Sequence, residues 1–148
     1  MKMTKILSKP NIIALGVGGI VVRIIFSFYF SKYWYGEIKF SFGDTPTYIN
    51  SFLNLLNLNT FCFDLNNLDS CFYRGPIYTI FYGIHYILIG DQYAQQLLAV
   101  TQCVLDVVTG YLILLIVYNH THSSKWSICA FILYLFNPFA IINVPITG

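Results

Sequence analysis

Hydrophobic positions along the chain fall into long apolar runs separated by one extended polar segment. The runs cover residues 11–30, 93–118 and 126–144. Each is long enough, at about 1.5 Å per helical residue, to cross a hydrocarbon layer of about 30 Å. The polar segment, residues 31–92, separates the first two runs. This pattern predicts an all-α integral membrane domain over residues 1–148, with about three transmembrane helices.

The polar segment contains an amphipathic stretch at residues 46–58. Apolar side chains recur there at helical spacing, opposite a face of Asn and Ser. Thr45 is a typical N-cap residue, and Pro46 is favoured at the first helical position. Because the polar face carries almost no charge, we expect a surface helix that lies on the membrane or packs against the spans.

Residues 75–90 decide how many times the chain crosses the membrane. This stretch is apolar but only sixteen residues long, and it contains Gly75, Pro76, Gly83 and His85. Its length favours an interfacial or re-entrant helix, which gives three spans plus juxtamembrane surface helices. The alternative of four spans stays open. Under the three-span interpretation the polar loop 119–125 is cytoplasmic, in agreement with its lysine and histidines.

Composition and charge favour a membrane protein over a soluble domain or a nucleic-acid-binding protein. Hydrophobic residues make up 57% of the chain and charged residues 9%, whereas soluble domains carry about 25% charged residues. A positive cluster of Lys2, Lys5 and Lys9 precedes the first run, so we expect a cytoplasmic N-terminus and an outward segment 31–92. A cleaved signal peptide is the alternative for that run. The net charge of +2, without a basic run rich in aromatics, gives no indication of nucleic acid as a partner.

The four cysteines do not have the spacing of a metal site, and no cofactor is predicted, while the need for a divalent metal stays open. Cys103 and Cys129 lie in apolar runs, where an inert thiol is the usual case. Cys62 and Cys71 lie in the polar segment. A disulfide between them is possible if this segment faces an oxidising compartment, and the sequence does not decide it.

Two opposite charges lie inside the predicted spans. Arg23 and Asp106 are each twelve residues from the cytoplasmic end of their run, a depth of about 18 Å. Either charge costs about 2.5–3.5 kcal/mol at mid-membrane unless it has a partner. We therefore predict that they form an intramembrane pair. The pair has two interpretations: a structural contact, or a site where Arg23 binds the anionic headgroup of a lipid substrate.

Candidate chemistry is concentrated at the two ends of the polar segment. The sequence DTPTY covers residues 44–48, and RGPIY covers residues 74–78. A glutamine-containing start of the second run (YAQQLL, from residue 93) and FILYLFNP at residues 131–138 follow in order. This order resembles the membrane glycosyltransferases of the C-type fold, especially the protein O-mannosyltransferase-like group. The resemblance covers nearly the whole chain and depends on order and spacing, since no single motif is specific.

The resemblance implies a function for the outward segment. In this family the first outward loop carries an essential aspartate, and the donor is a polyprenyl-phosphate sugar. Transferred to this chain, Asp44 is the catalytic base or acceptor-orienting carboxylate, and Arg74 faces the donor phosphate. Tyr48 and Tyr78 shape the substrate site. Such a transfer needs a carboxylate for the acceptor proton and a positive charge for the leaving phosphate. The acceptor would be a lipid or a protein at the outer membrane face.

The chain departs from the family pattern in three respects. Asp44 stands alone where many relatives carry an acidic pair, and Gln95 and Gln96 stand where many have an arginine. Family members also have more spans, so the resemblance implies the N-terminal part of a larger fold, with the C-terminal part as a partner. Two other functions remain: a non-catalytic membrane subunit or remnant, and a transporter fragment. In the transporter, Arg23, Gln102 and Asp106 would line a pathway.

Overall fold

The computed structural model describes residues 10–30, 32, 40, 44–72 and 75–144. Every regular element within these ranges is helical, as the sequence predicts. The helices are α1 (Pro10–Ile25, continued by a π-helical turn at Phe26–Phe30), α2 (Thr45–Leu58), α3 (Pro76–Ile89), α4 (Asp91–Thr121), α5 (Ser124–Leu135) and α6 (Pro138–Asn143), with a 3-10 turn at Leu68–Ser70.

The described residues form two compact units. The first contains α1, the part of α4 from Val100 onward, α5 and α6. The second contains α2, α3 and the start of α4 as far as Ala99.

Glycines allow the helices of the first unit to approach closely. A Cβ atom on Gly16 would lie 3.1 Å from the ring of Tyr111, and one on Gly110 would lie 3.0 Å from Phe131. The Tyr111 hydroxyl donates a hydrogen bond to the carbonyl oxygen of Ile12, at 3.0 Å. These contacts surround a core of buried apolar side chains: Ile12, Val107, Leu114, Phe131 and Leu135.

Two helices are long and apolar enough to cross a membrane: residues 10–30, with 21 residues, and α4, with 31. The predicted span at 126–144 is not one continuous helix. α5 has 12 residues, about 18 Å at the helical rise, and α6 starts again at Pro138. Proline lacks the N–H that would continue the helix, and the Asn137 side chain caps α6 by accepting a hydrogen bond from the Phe139 N–H. α3, with 14 residues, is likewise shorter than a hydrocarbon layer.

The outer surfaces of the two long helices are apolar. Exposed aliphatic side chains recur every three or four residues, on α1 at Ile13, Val17, Val21 and Ile25, and on α4 at Leu105, Val108, Leu112 and Ile116. Three polar side chains of the first unit, Arg23, Ser27 and Ser127, are buried, although Thr109 on α4 is exposed. This distribution is the reverse of that in a water-soluble bundle, and it is the one expected of helices that contact lipid.

In the second unit, α2 and α3 pack with their chains running in the same direction. The Tyr48 ring contacts Tyr78, and one turn later Phe52 contacts Tyr82. The contact is close because α3 has a glycine opposite Phe52: a Cβ atom on Gly83 would overlap the Phe52 ring. Phe52 and Tyr82, with Ala94 and Leu98 from the start of α4, form the core of this unit.

Candidate functional site

Asp44 is the N-cap residue of α2, one position before Thr45, the residue that the sequence predicts as the N-cap. Thr45, the predicted N-cap, is the first helical residue and is 2% exposed, so it packs into the unit. The Asp44 carbonyl oxygen accepts hydrogen bonds from the Thr47 N–H at 2.9 Å and the Thr47 hydroxyl at 2.6 Å. The Asp44 side chain makes no capping hydrogen bond and is exposed.

Tyr48, one turn after Asp44, lies beside an apolar groove. The ring centroids of Tyr48 and Tyr78 are 4.7 Å apart in an edge-to-face arrangement. The groove has a volume of about 660 Å³, within the usual range for small-molecule sites. Its lining is apolar apart from two tyrosine hydroxyls: Tyr48, Gly75, Pro76, Ile77, Tyr78, Ile80, Phe81 and Ile84. A cavity of this composition suits a hydrocarbon chain better than a sugar.

The shared direction of α2 and α3 brings the starts of both helices to one end of the groove. Two of the residues predicted to form the site, Tyr48 and Tyr78, are in direct contact there. Arg74 immediately precedes Gly75 in the sequence, but it lies outside the described residues. Helix N-termini carry partial positive charge, so this end of the unit is electrostatically suited to an anionic group.

A buried polar cluster on α3 was missed by the sequence analysis. The Tyr82 hydroxyl donates a long hydrogen bond, 3.4 Å, to the Asp91 carboxylate. Burial, and to a smaller extent the negative charge of Asp91, raises the pKa of Tyr82 to about 12. The phenol is therefore protonated at neutral pH. His85 Nδ1 lies 2.7 Å from the Phe81 carbonyl oxygen. The three-residue spacing of Thr79, Tyr82 and His85 within an apolar run is the signal that predicts a polar inner face.

Arg23 and Asp106 are in direct contact, as the depth count predicts. Arg23 Nη2 lies 2.6 Å from Asp106 Oδ2. Arg23 Nη1 donates to the carbonyl oxygens of Gly19 at 3.1 Å and Leu135 at 2.9 Å. The Tyr134 hydroxyl donates to Asp106 Oδ1 at 2.6 Å. Because Arg23 is 0% exposed and bonded within the unit, this geometry favours the structural interpretation of the pair over contact with a lipid headgroup.

Neither a metal site nor a relative points to a function for this chain. Within the described ranges, no group of three or more His, Cys, Asp or Glu side chains could hold a metal ion. Models of known protein families, curated proteins and solved structures all give no match to the chain. The functional argument therefore depends on the groove and the residues around it.

Proposed function

We propose that the chain is part of a membrane glycosyltransferase of the C-type fold that uses a polyprenyl-phosphate sugar. The observation that carries the proposal is the apolar groove beside Tyr48 and Tyr78. Each tyrosine follows a charged residue by four positions, Asp44 in one case and Arg74 in the other. An apolar groove matches a donor that has a hydrocarbon chain.

Asp44 and Arg74 have complementary roles in the proposed reaction. The Asp44 carboxylate takes the proton from the acceptor hydroxyl as its oxygen attacks the anomeric carbon of the sugar. The bond between that carbon and the phosphate oxygen breaks, and the configuration of the sugar inverts. The negative charge on the departing polyprenyl phosphate is stabilised by Arg74 and the nearby helix N-termini. Tyr48 and Tyr78 hold the first part of the hydrocarbon chain.

In the proposed arrangement, the groove lies just outside the membrane. In this arrangement α1 and α4 are spans, α5 with α6 forms a third, broken span, and α2 and α3 are surface helices. The lysines before α1 support a cytoplasmic N-terminus. The disulfide between Cys62 and Cys71 supports an oxidising outer compartment for the segment between α2 and α3. The lipid-linked donor then reaches the groove from the outer leaflet.

Sugar transfer by an Asp44→Asn variant tests the proposed role of this carboxylate. Vesicles containing the full chain are supplied with a polyprenyl phosphate carrying a radiolabelled sugar, and with membrane lipid and protein extracts as acceptors. We expect Asp44→Asn to lower transfer at least about 100-fold, because amides are very weak bases. Asp64→Asn, which removes another exposed carboxylate of the same unit, is expected to leave transfer unchanged.

Two results contradict the proposal in different ways. Full transfer by Asp44→Asn removes the catalytic role of Asp44. If the unmodified chain transfers no sugar, the alternative of a non-catalytic subunit or remnant is favoured. A transporter fragment has less support, since the guanidinium of Arg23 is already bonded to Asp106 and to two carbonyl oxygens.

A further inference from the structure

The parallel packing of α2 and α3 needs an unusual connection. Two helices joined by a short loop normally pack antiparallel, because the chain reverses direction at the loop. Here the contacts advance together along both helices, from Tyr48 with Tyr78 to Phe52 with Tyr82. The connection, residues 59–75, must therefore return along the pair before α3 begins. A free segment of seventeen residues would specify this return only weakly.

Covalent and polar contacts fasten this connection. Cys62 and Cys71 form a disulfide with their Cα atoms 3.9 Å apart. Beside it, the Phe72 N–H donates to the Phe61 carbonyl oxygen at 3.0 Å, and the two rings stack at 5.3 Å. The Asn54 side-chain amide donates to the Cys62 carbonyl oxygen at 2.8 Å, which ties the connection to α2. We call residues 61–72 the disulfide brace.

We propose that the Cys62–Cys71 disulfide positions the groove by holding α2 and α3 in their parallel arrangement. The bond shortens the covalent path between the helices from seventeen residues to nine, namely residues 59–62 and 71–75. A shorter path lowers the conformational entropy that the separated helices would gain, and so favours contact between Tyr48 and Tyr78. Cys62 and Cys71 are positioning residues in this scheme and do not touch substrate. That the groove is a substrate site rests on the proposed function. The positioning of α2 and α3 by the disulfide does not depend on that function.

The positioning role makes the groove dependent on redox conditions. Forming the bond removes two electrons and two protons from the two thiols. A partner disulfide accepts them by thiol–disulfide exchange and becomes a dithiol. A dithiol reductant reverses the reaction and is itself oxidised to a disulfide. We therefore expect the groove to be complete only where the brace is oxidised.

Hydrogen–deuterium exchange of the full chain in vesicles tests this inference. Mass spectrometry follows amide exchange with and without dithiothreitol, and alkylation of the released thiols confirms reduction. Upon reduction we expect exchange in residues 50–54 and 81–85, which lie beyond the first turns of α2 and α3, to accelerate about tenfold, as for local opening, while residues 124–135 stay unchanged. The Cys62→Ser/Cys71→Ser variant should exchange rapidly without reductant and not respond to it. Cys103→Ser/Cys129→Ser, which removes the other two cysteines, should behave like the unmodified chain.

Unchanged exchange in residues 50–54 and 81–85 after confirmed reduction overturns the inference, because side-chain packing alone would then hold the helices. Equal acceleration in residues 124–135 also overturns it, since the bond would be stabilising the whole chain rather than the groove. The readout does not involve sugar transfer. A chain that shows the local response but transfers no sugar therefore retains the brace and loses only the proposed reaction.

Discussion

Arg23 and Asp106 show how a single pair of residues can hold three helices together. The guanidinium belongs to α1, the carboxylate to α4, and their further partners, Tyr134 and Leu135, to α5. Breaking a buried ion pair by removing one partner is costly, because the other charge is left uncompensated. Replacing both partners with apolar side chains of similar size is often neutral. The two kinds of substitution therefore separate charge compensation from packing.

We expect Asp106→Asn to destabilise the chain by about 3–5 kcal/mol, the usual cost of an unpaired buried charge. The double variant Arg23→Met/Asp106→Leu should recover most of that loss. Thermal unfolding in detergent, followed by the loss of helical circular dichroism, measures both. Asp64→Asn serves as the control for removal of an exposed carboxylate. A double variant as unstable as Asp106→Asn would show that shape, rather than charge compensation, dominates at this position.

The sequence predicts the ion pair of Arg23 and Asp106 but not the hydrogen bond from Tyr134 beside it. Residue counting gives the depth of Arg23 and Asp106, since the helical rise is fixed. The hydrogen bond from Tyr134 depends on the rotation of α5 about its axis, which counting does not give. At Asp44 a one-residue error arose because Thr45 and Asp44 are both good caps. The burial of Thr45 in the second unit decides between them.

At the scale of elements, Gly83 sets the distance between α2 and α3. Its lack of a side chain leaves room for the Phe52 ring, which also contacts Tyr82 and Tyr86 edge-on. A methyl group at position 83 must displace either the ring or the helix. The effect should therefore spread to the Tyr48–Tyr78 contact at the groove, one turn away.

We expect Gly83→Ala to lower stability by about 1–3 kcal/mol, as other overpacking substitutions do, despite the better helix propensity of alanine. Gly18→Ala is the matched control, since nothing lies within 4 Å of a Cβ atom at that helical position. There the propensity gain should dominate and raise stability by up to about 1 kcal/mol. Adding Phe52→Leu to Gly83→Ala should restore part of the loss. Equal thermal unfolding midpoints for Gly83→Ala and Gly18→Ala would contradict the close packing.

Helical periodicity and run length predict α1, α2 and α4 nearly to their ends, because these features are local. The direction in which α2 and α3 pack is not local, since it depends on the return path of residues 59–75. The break between α5 and α6 could also have been predicted from the sequence, but the average hydrophobicity of residues 126–144 hides it. Asn137 followed by Pro138 is a typical helix stop and restart.

At the scale of the whole molecule, α1 with its π-helical turn and α4 are the two helices of the described residues that are long and apolar enough to cross a membrane. The proposed orientation, with residues 31–92 outward, has two supports: the lysines before α1 and the disulfide between α2 and α3. The aliphatic outer stripes on α1 and α4 favour contact with lipid but give no direction. If α1 and α4 are spans and α3 is not, the end of α2 and the end of α4 face opposite compartments. The groove is then on the outer side, where the proposed donor is presented.

Cysteine labelling in intact cells tests this arrangement most directly. Single cysteines are introduced at Asn57 on α2 or at His120 near the end of α4, both exposed, in a Cys103→Ser/Cys129→Ser background that keeps the disulfide. With a membrane-impermeant maleimide, we predict that Asn57→Cys is labelled in intact cells and that His120→Cys is labelled only after permeabilisation. Labelling of both positions in intact cells, or of His120→Cys alone, would contradict the account.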